Sequence, residues 1–193
     1  MSLDISFVIA SYNSARWLPS TLISISKAVK CAELSAEVIV VDDGSVDQTV
    51  EVLSGLQNQF EFELRIIQQD NQGRFLARWN AANVAKSSNL LIIDSRILLG
   101  ETSLRDLFED MQNLDFVASW NAHVVLDPNS PLIGRFWEVP TYMFWGKYLS
   151  NPQLTTLNED NFDRHPKGTT AFFVQKELFI QACLASWPAE NAH

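Results

Sequence analysis

The chain has 193 residues, of which 47% are apolar and 19% are charged, so it can form a single globular domain with a substantial core. Its formal net charge of −9 argues against a general nucleic-acid-binding protein, because phosphate backbones attract a basic surface. A small phosphorylated ligand remains compatible with this charge, since one or two local arginines can hold it.

The sequence also indicates the cellular compartment in which the chain is expected. No apolar run approaches the roughly 18 residues that a transmembrane segment needs, and the N-terminus enters a strand pattern without the basic segment of a signal peptide. Neither Cys31 nor Cys183 has a Cys or His neighbour at metal-ligand spacing, which favours two reduced core thiols. We therefore expect a cytoplasmic chain, with peripheral contact at the inner face of a membrane left open.

The first half of the chain alternates strand and helix patterns. Short apolar runs, typical of buried strands, cover residues 5–10, 37–42, 64–68, 89–94 and 115–126. Between them, apolar residues at helical spacing predict helices over residues 14–29, 47–59, 74–87 and 102–113. Pro19 fits only the first turn of its helix. Asp47 is predicted to cap the second helix, and Thr102 or Ser103 the fourth.

Strands that alternate with helices predict a mostly parallel sheet covered on both faces, in which ligands bind beyond the carboxyl ends of the strands. Those ends carry polar sequences: SYN after the first strand, DDGS after the second, QDNQG after the third and DSR after the fourth. All four could face one cleft.

The pattern changes in residues 127–153, which contain four prolines and six aromatic residues and do not continue the alternation of strands and helices. Two interpretations are open: an aromatic surface that packs on an acceptor, or a hydrophobic layer beneath a loop. A strand over residues 169–174 and a helix over residues 175–186 are predicted to close the chain.

The acids Asp42, Asp43 and Asp94 at strand ends fit two classes of site. They resemble the acidic strand ends of response-regulator receiver domains, where an acid pair holds magnesium and a later Asp accepts a phosphoryl group. The resemblance weakens because a full strand and helix precede the acid pair here. No Lys follows the fifth strand in the expected place.

The second class is a nucleotide-sugar site. The segments SFVIASYNSARWLPSTLISI, AEVIVVDDGSVDQTVEVL and LRIIQQDNQGRFLARWNAANVAKSSNLLIIDS together resemble the inverting glycosyltransferases of family 2, and KGTTAFFVQKELF resembles the acceptor half of that family. The resemblance implies the GT-A fold, a Rossmann-like α/β architecture with a mostly parallel sheet between helices. It implies one domain over residues 1–193, with a donor half at 1–126 and an acceptor half at 127–193 that could be truncated.

The resemblance also implies which residues bind the donor nucleotide. Asp42 would face the base and ribose and accept a hydrogen bond from a uracil N–H or a ribose hydroxyl. Asp43 would order the turn by bonding the backbone near Gly44 and Ser45. Tyr12 would pack on the base, and its loop would be held by Ser11 and Asn13.

Two arginines complete the implied nucleotide site. Arg78 matches a family arginine near the base and diphosphate. Arg74 lies four residues earlier on the same predicted helix, so both side chains can point the same way.

The motif after the fourth strand departs from the family. Where the family has Asp-x-Asp, whose acids bind the ribose and a divalent ion, this chain has Asp94, Ser95 and Arg96. Three interpretations are open. Arg96 could itself stabilise the leaving diphosphate. A magnesium or manganese ion could be held by the diphosphate, Asp94 and another acid. Or the site could bind a nucleotide without catalysing transfer.

Inversion needs a carboxylate base that accepts the proton of the acceptor hydroxyl. The resemblance suggests Glu159 or Asp160, in the sequence NED, or Glu190 near the end of the chain. We therefore expect transfer of a sugar, from a UDP-linked donor, to a hydroxyl of a glycan, a lipid-linked acceptor or another acceptor, in polysaccharide or glycoconjugate synthesis. The alternative is a non-catalytic module that binds a nucleotide sugar.

Overall fold

The computed structural model describes residues 3–112, 119–121, 136, 138–151, 155–165 and 170–186. The chain divides into two compact units. The first comprises residues 1–122 and 169–193, and the second comprises residues 123–168.

The first unit is built on a six-stranded sheet. Its strands are β1 (Ile5–Ser11), β2 (Ala36–Asp43), β3 (Glu63–Gln69), β4 (Asn89–Ile93), β5 (Ser119–Asn121) and β6 (Ala171–Gln175). They lie in the order β3-β2-β1-β4-β6-β5; β1 to β4 are parallel, and β6 runs antiparallel to both β4 and β5. The predicted mostly parallel sheet is confirmed.

This topology excludes the receiver interpretation. A receiver has the doubly wound order 2-1-3-4-5 with all strands parallel, so its third strand lies beside its first. Here β3 lies beside β2, β1 lies between β2 and β4, and β6 is antiparallel.

Five helices of the first unit are described. They are α1 (Leu18–Cys31), α2 (Thr49–Leu56), α3 (Arg74–Val84), α4 (Ser103–Gln112) and α6 (Lys176–Ser186). Pro19 is the second residue of α1, as predicted, because its missing N–H costs nothing in the first turn. Thr102 precedes α4, and its hydroxyl donates to Asp106 at 2.9 Å.

Helices cover both faces of the sheet because β1, β2 and β4 carry buried apolar side chains on both sides. On one face Phe7 and Ile9 of β1 pack with Leu22 of α1 and with residues of α2 and α4. On the other face Val8 packs with Ala77 and Ala81 of α3. The small alanines let α3 lie close to the sheet.

Of the predicted strand over residues 115–126, only Ser119–Asn121 is described as strand, and residues 115–118 and 122–126 lie outside the described residues. Within residues 127–153, for which no helix was predicted, α5 covers Glu138–Leu149 in the second unit. Pro140 falls in its first turn, where proline is tolerated.

The second unit also contains a 3-10 helix at Phe162–Arg164. Tyr142 and Phe144 of α5 are largely exposed, so these two side chains do not form a hydrophobic layer beneath a loop.

Two further expectations concern cysteines and membranes. Both thiols are free, and burial raises the pKa of the Cys183 thiol because it disfavours the thiolate. Among the helices that the structure describes, none combines the length and the apolar composition needed to cross a bilayer.

Candidate functional site

The candidate site lies at the carboxyl edge of the parallel strands. Ser11 ends β1 and pairs in register with Asp42 near the end of β2, while Asp94 follows β4 on the other side of β1. The topology therefore brings the sequences SYN, DDGS and DSR to one edge of the sheet.

Asn13 holds the loop after β1, as predicted. Its φ of 50° is left-handed, a conformation that Asn tolerates better than most residues. Its side-chain oxygen accepts hydrogen bonds from the backbone N–H of Val46 at 2.9 Å and of Asp47 at 3.3 Å. Its own N–H donates to the Ser45 hydroxyl at 2.9 Å. The loops after β1 and β2 are thus joined to each other, and Tyr12 is left 48% exposed.

Asp47 does not occupy the N-cap position of α2, contrary to the prediction, because the helix begins at Thr49 and its N-cap residue is Gln48. Asp47 instead bonds the first residue of the helix from one position further out. One carboxylate oxygen accepts the N–H of Thr49 at 3.0 Å and also its hydroxyl proton; the other accepts the N–H of Ala15 at 3.2 Å. The hydroxyl of Thr49, more than any other group, lowers the pKa of Asp47, because each of these bonds favours the charged form.

Ser11 and Asp42 lie opposite each other at the ends of β1 and β2, and both side chains are buried. Asp42 is only 3% exposed, and its carboxylate accepts hydrogen bonds from the hydroxyl and the N–H of Ser45. The hydroxyl of Ser11 is buried, and it has no hydrogen-bond partner among the residues that the structure describes. Ser11 therefore does not hold the loop through its side chain, contrary to the prediction.

Asp43 has a different role from the one predicted. Its carboxylate accepts bonds from the Gln69 side-chain amide at 2.7 Å and from the N–H groups of Gln72 and Gly73, both at 2.9 Å. The prediction that it bonds the backbone near Gly44 and Ser45 was wrong. Asp43 instead fixes the loop that leads into α3.

Gly44 permits the close approach of that loop. Its φ is +74°, and a Cβ built there would lie 2.8 Å from the backbone nitrogen of Asn71. Glycine is required both by the backbone conformation and by the space.

Arg78 reaches from α3 to the end of β4. Its guanidinium is buried and donates to the Asp94 carboxylate at 2.6 Å. Arg74, one turn earlier at the start of α3, is exposed. The two arginines share a helix but differ in burial.

Arg96 lies beside a residue that the sequence analysis did not select. Its guanidinium carbon is 5.8 Å from the centre of the Trp17 ring, and that of Arg16 is 4.7 Å from the same ring. No sequence signal indicated that Arg96 lies close to Arg16 and Trp17. The two segments are about 80 residues apart in the chain, and only the order of the strands brings them together.

The described residues do not fit a divalent-ion site. Asp94 is already bonded to a guanidinium, and Arg96 puts a cation where the family has its second acid. Within the described part of the chain, no three acidic, His or Cys side chains are grouped around one point. An ion held by one or two carboxylates and the diphosphate would therefore depend on Asp94.

The candidate catalytic acids stay predictions. Glu159 and Asp160 are exposed in the second unit, just before its 3-10 helix. Glu190 lies outside the described residues.

Residues 6–180 match the family model described as Glycosyl transferase family 2. Among curated proteins, the chain is 30% identical over 116 residues to the glycosyltransferase GlyG of Streptococcus pneumoniae, covering 60% of this chain and 37% of GlyG. It is 26% identical over 156 residues to the poly(ribitol-phosphate) beta-N-acetylglucosaminyltransferase TarS of Staphylococcus aureus, covering 81% of this chain and 25% of TarS. The chain thus spans well under half the length of either relative.

Solved structures share the fold. A crystal structure of S. aureus TarS residues 1–349 in complex with UDP has a TM-score of 0.54 at 23% identity, covering 67% of this chain and 44% of that one. Mannosyl-3-phosphoglycerate synthase from Rubrobacter xylanophilus has a TM-score of 0.60 at 18% identity, covering 91% of this chain and 54% of that one. The GT-A fold predicted from the sequence is confirmed.

Proposed function

Because this chain belongs to glycosyl transferase family 2, we propose that it transfers a sugar from a nucleoside-diphosphate donor to a hydroxyl group. The observation that supports this most directly is the arrangement at the ends of β1 and β2. There Asp42 and Ser11 are buried side by side in register, and Tyr12, the next residue after Ser11, is 48% exposed. An aromatic face beside polar hydrogen-bonding groups suits a nucleobase, whose flat ring stacks while its edge is recognised by hydrogen bonds.

We propose UDP as the nucleotide. Uracil has one ring N–H, which donates to a carboxylate such as that of Asp42; the carboxylate has acceptor positions beyond those used by Ser45. The UDP complex of TarS makes UDP the first ligand to test. Asn13, Asp43 and Arg74 stay in the proposed donor site, Asn13 and Asp43 by shaping its loops.

Arg78, Asp94 and Arg96 are proposed to serve the ribose and diphosphate. Asp94 is 38% exposed despite its bond to Arg78, so it retains a face that a ribose hydroxyl can reach. Arg96 is exposed and positive, which suits the charge that builds up on the leaving diphosphate.

For the acceptor we propose a hydroxyl of a polymer or other glycoconjugate, as the printed name of TarS suggests for that relative. In an inverting transfer the acceptor oxygen bonds to the anomeric carbon as the bond to the diphosphate breaks. A carboxylate takes the hydroxyl proton. Glu159, Asp160 and Glu190 are the candidates for this base. A cytoplasmic location stays a prediction.

A second candidate, a module that binds a nucleotide sugar without catalysing transfer, is favoured by one observation. Asp94 is engaged by Arg78, and the described residues do not form the expected metal site. Binding experiments do not separate the two candidates, but turnover does.

The proposal is tested by calorimetric titration of UDP, GDP and their sugar conjugates, with and without manganese. Asp42→Asn should weaken UDP binding by about tenfold or more, since hydrogen bonds to charged groups contribute about 1.5–3 kcal/mol. The control is Asp110→Asn, which changes an exposed acid on α4 by the same atoms. If no nucleotide binds the unmodified chain under either condition, the donor site does not exist as proposed.

A further inference from the structure

Two arginines from distant parts of the sequence meet at one half-exposed tryptophan. The guanidinium carbons of Arg16 and Arg96 lie 4.7 and 5.8 Å from the centre of the Trp17 ring, and that side chain is 40% exposed. The indole face attracts a guanidinium without neutralising its charge. These three residues, called here the arginine–tryptophan cluster, therefore hold two positive charges around one ring.

Neither arginine of the cluster forms an ion pair with an acid of the described residues. Arg65, Arg78 and Arg105 each have a carboxylate partner, whereas Arg16 and Arg96, like Arg74 and Arg164, have none among the described residues. Acids are plentiful, since the chain has 23 acidic residues and 14 basic ones. Two like charges kept together repel each other, and because no described acid forms an ion pair with either arginine, a bound anion would offset this repulsion.

The fold itself places the two arginines together. The Ser14 and Ser95 hydroxyls are joined at 2.9 Å, and the Thr21 hydroxyl of α1 donates to the backbone oxygen of Ser95, also at 2.9 Å. All three of these side chains are buried. The segment that carries Arg96 is therefore fixed against the first turns of α1, next to Trp17.

The surroundings favour an anion as well. The cluster lies at the N-terminus of α1, a helix of 14 residues whose dipole is positive at that end. It also lies at the carboxyl edge of the sheet, where Ser11 and Asp42 are placed.

We propose that the arginine–tryptophan cluster binds a phosphate group of a substrate, in the role of the divalent ion that the described residues do not fit. Each guanidinium matches two phosphate oxygens, and together the two supply the charge of one divalent cation. The inference rests on the proposed function. The phosphate belongs either to the diphosphate of the donor or to a phosphate on the acceptor, and the chemistry is the same in both.

The test uses Arg16→Gln, Arg96→Gln and the double variant, with Arg105→Gln as the control for removal of an exposed arginine elsewhere. Calorimetric titrations with EDTA present compare UDP, uridine and glycerol phosphate as probes. For a donor site, each single variant should bind UDP about tenfold more weakly, with uridine binding unchanged, since charge-assisted bonds contribute this much. For an acceptor site, glycerol phosphate binding should fall and UDP binding should not.

The remaining outcomes overturn one proposal or the other. If the double variant binds UDP and glycerol phosphate as tightly as the unmodified chain does, the cluster is not a phosphate site. The same follows if the unmodified chain binds neither phosphate probe. If it binds glycerol phosphate through the cluster but neither UDP nor uridine, the proposed donor site fails and the phosphate site stands.

Discussion

Ser11 is the residue whose role a single substitution can define. Its hydroxyl is buried at the end of β1 without a partner among the described residues, so Ser11→Ala should leave the free energy of unfolding unchanged or raise it by about 1 kcal/mol. If the hydroxyl bonds the nucleotide, the same change should weaken UDP binding by roughly threefold to tenfold. Urea denaturation and calorimetry measure the two effects separately.

Ser6, on the same strand, provides the matched control. Its buried hydroxyl donates to Glu37 at 2.7 Å and accepts the N–H of Ser87 at 3.0 Å. Ser6→Ala should therefore destabilise the fold by about 1–3 kcal/mol without changing UDP affinity. If Ser11→Ala also destabilises the fold and leaves UDP affinity unchanged, its hydroxyl has a structural role.

Some features of single residues can be predicted from the sequence and others cannot. The apolar run that leads directly into Asp42 and Asp43 predicts that both acids lie at the end of β2. The run does not indicate which acid bonds which loop, since adjacent strand residues point to opposite faces and the partners come from loops after other strands. Arg16 and Trp17 were missed for the same reason.

The pH dependence of stability can be predicted for the joined loops after β1 and β2. The pKa of Asp47 is lowered, chiefly by the Thr49 hydroxyl and further by backbone N–H groups of Ala15 and Thr49. A carboxylate with a lowered folded-state pKa stabilises the fold fully above its unfolded value of about 4, and this contribution is lost as pH falls through the folded value.

Asp47→Asn should thus reduce the free energy of unfolding at pH 7, and the difference from the unmodified chain should shrink below about pH 4. Urea denaturation at pH 7, 5 and 3 measures it. The pKa of Asp4 is also lowered, by Ser35, but Asp4 is present in both proteins and cancels in the difference. A difference that is constant across this range would mean that the ionised carboxylate is not what stabilises the loops.

The turn after β2 predicts a contrast between two glycines. Gly44→Ala puts a Cβ at a φ of +74° and 2.8 Å from the backbone of Asn71, so it should destabilise the fold by about 2 kcal/mol and weaken UDP binding by displacing the loop before α3. Gly55→Ala, in α2 with no atom within 4 Å, should be neutral or stabilising by up to about 1 kcal/mol. Denaturation midpoints of the two variants measure the difference in stability. Equal destabilisation by Gly44→Ala and Gly55→Ala would show that the conformation and the space at Gly44 do not require glycine.

Whole elements were predicted where burial produces a repeating pattern. β1 to β4 begin and end within one residue of the predicted bounds, because each has a mainly apolar centre with polar residues at or just beyond its ends. α5 was missed because its apolar residues are exposed rather than gathered on one buried face. When no single face of a helix is buried, its apolar residues do not recur at helical spacing, so the sequence does not indicate the helix.

At the scale of the whole molecule, the donor residues and two of the three candidate bases belong to different units of the chain. Every described residue proposed for the donor belongs to the first unit, whereas Glu159 and Asp160 belong to the second. Nucleotide binding and proton removal should therefore be separable by substitution.

We expect one of Glu159→Gln, Asp160→Asn and Glu190→Gln to lower the rate of sugar transfer by roughly 10²–10⁴-fold, the usual contribution of a general base. UDP affinity should stay unchanged in all three, because none of these acids belongs to the proposed nucleotide site. Transfer is measured by release of UDP from the sugar donor in the presence of acceptor, and affinity by calorimetry. Loss of UDP binding in one of these variants would place that acid in the donor site instead. A chain that binds UDP-sugar but shows no transfer to any acceptor, with all three acids intact, would favour the non-catalytic module, because donor recognition would then exist without a base positioned to use it.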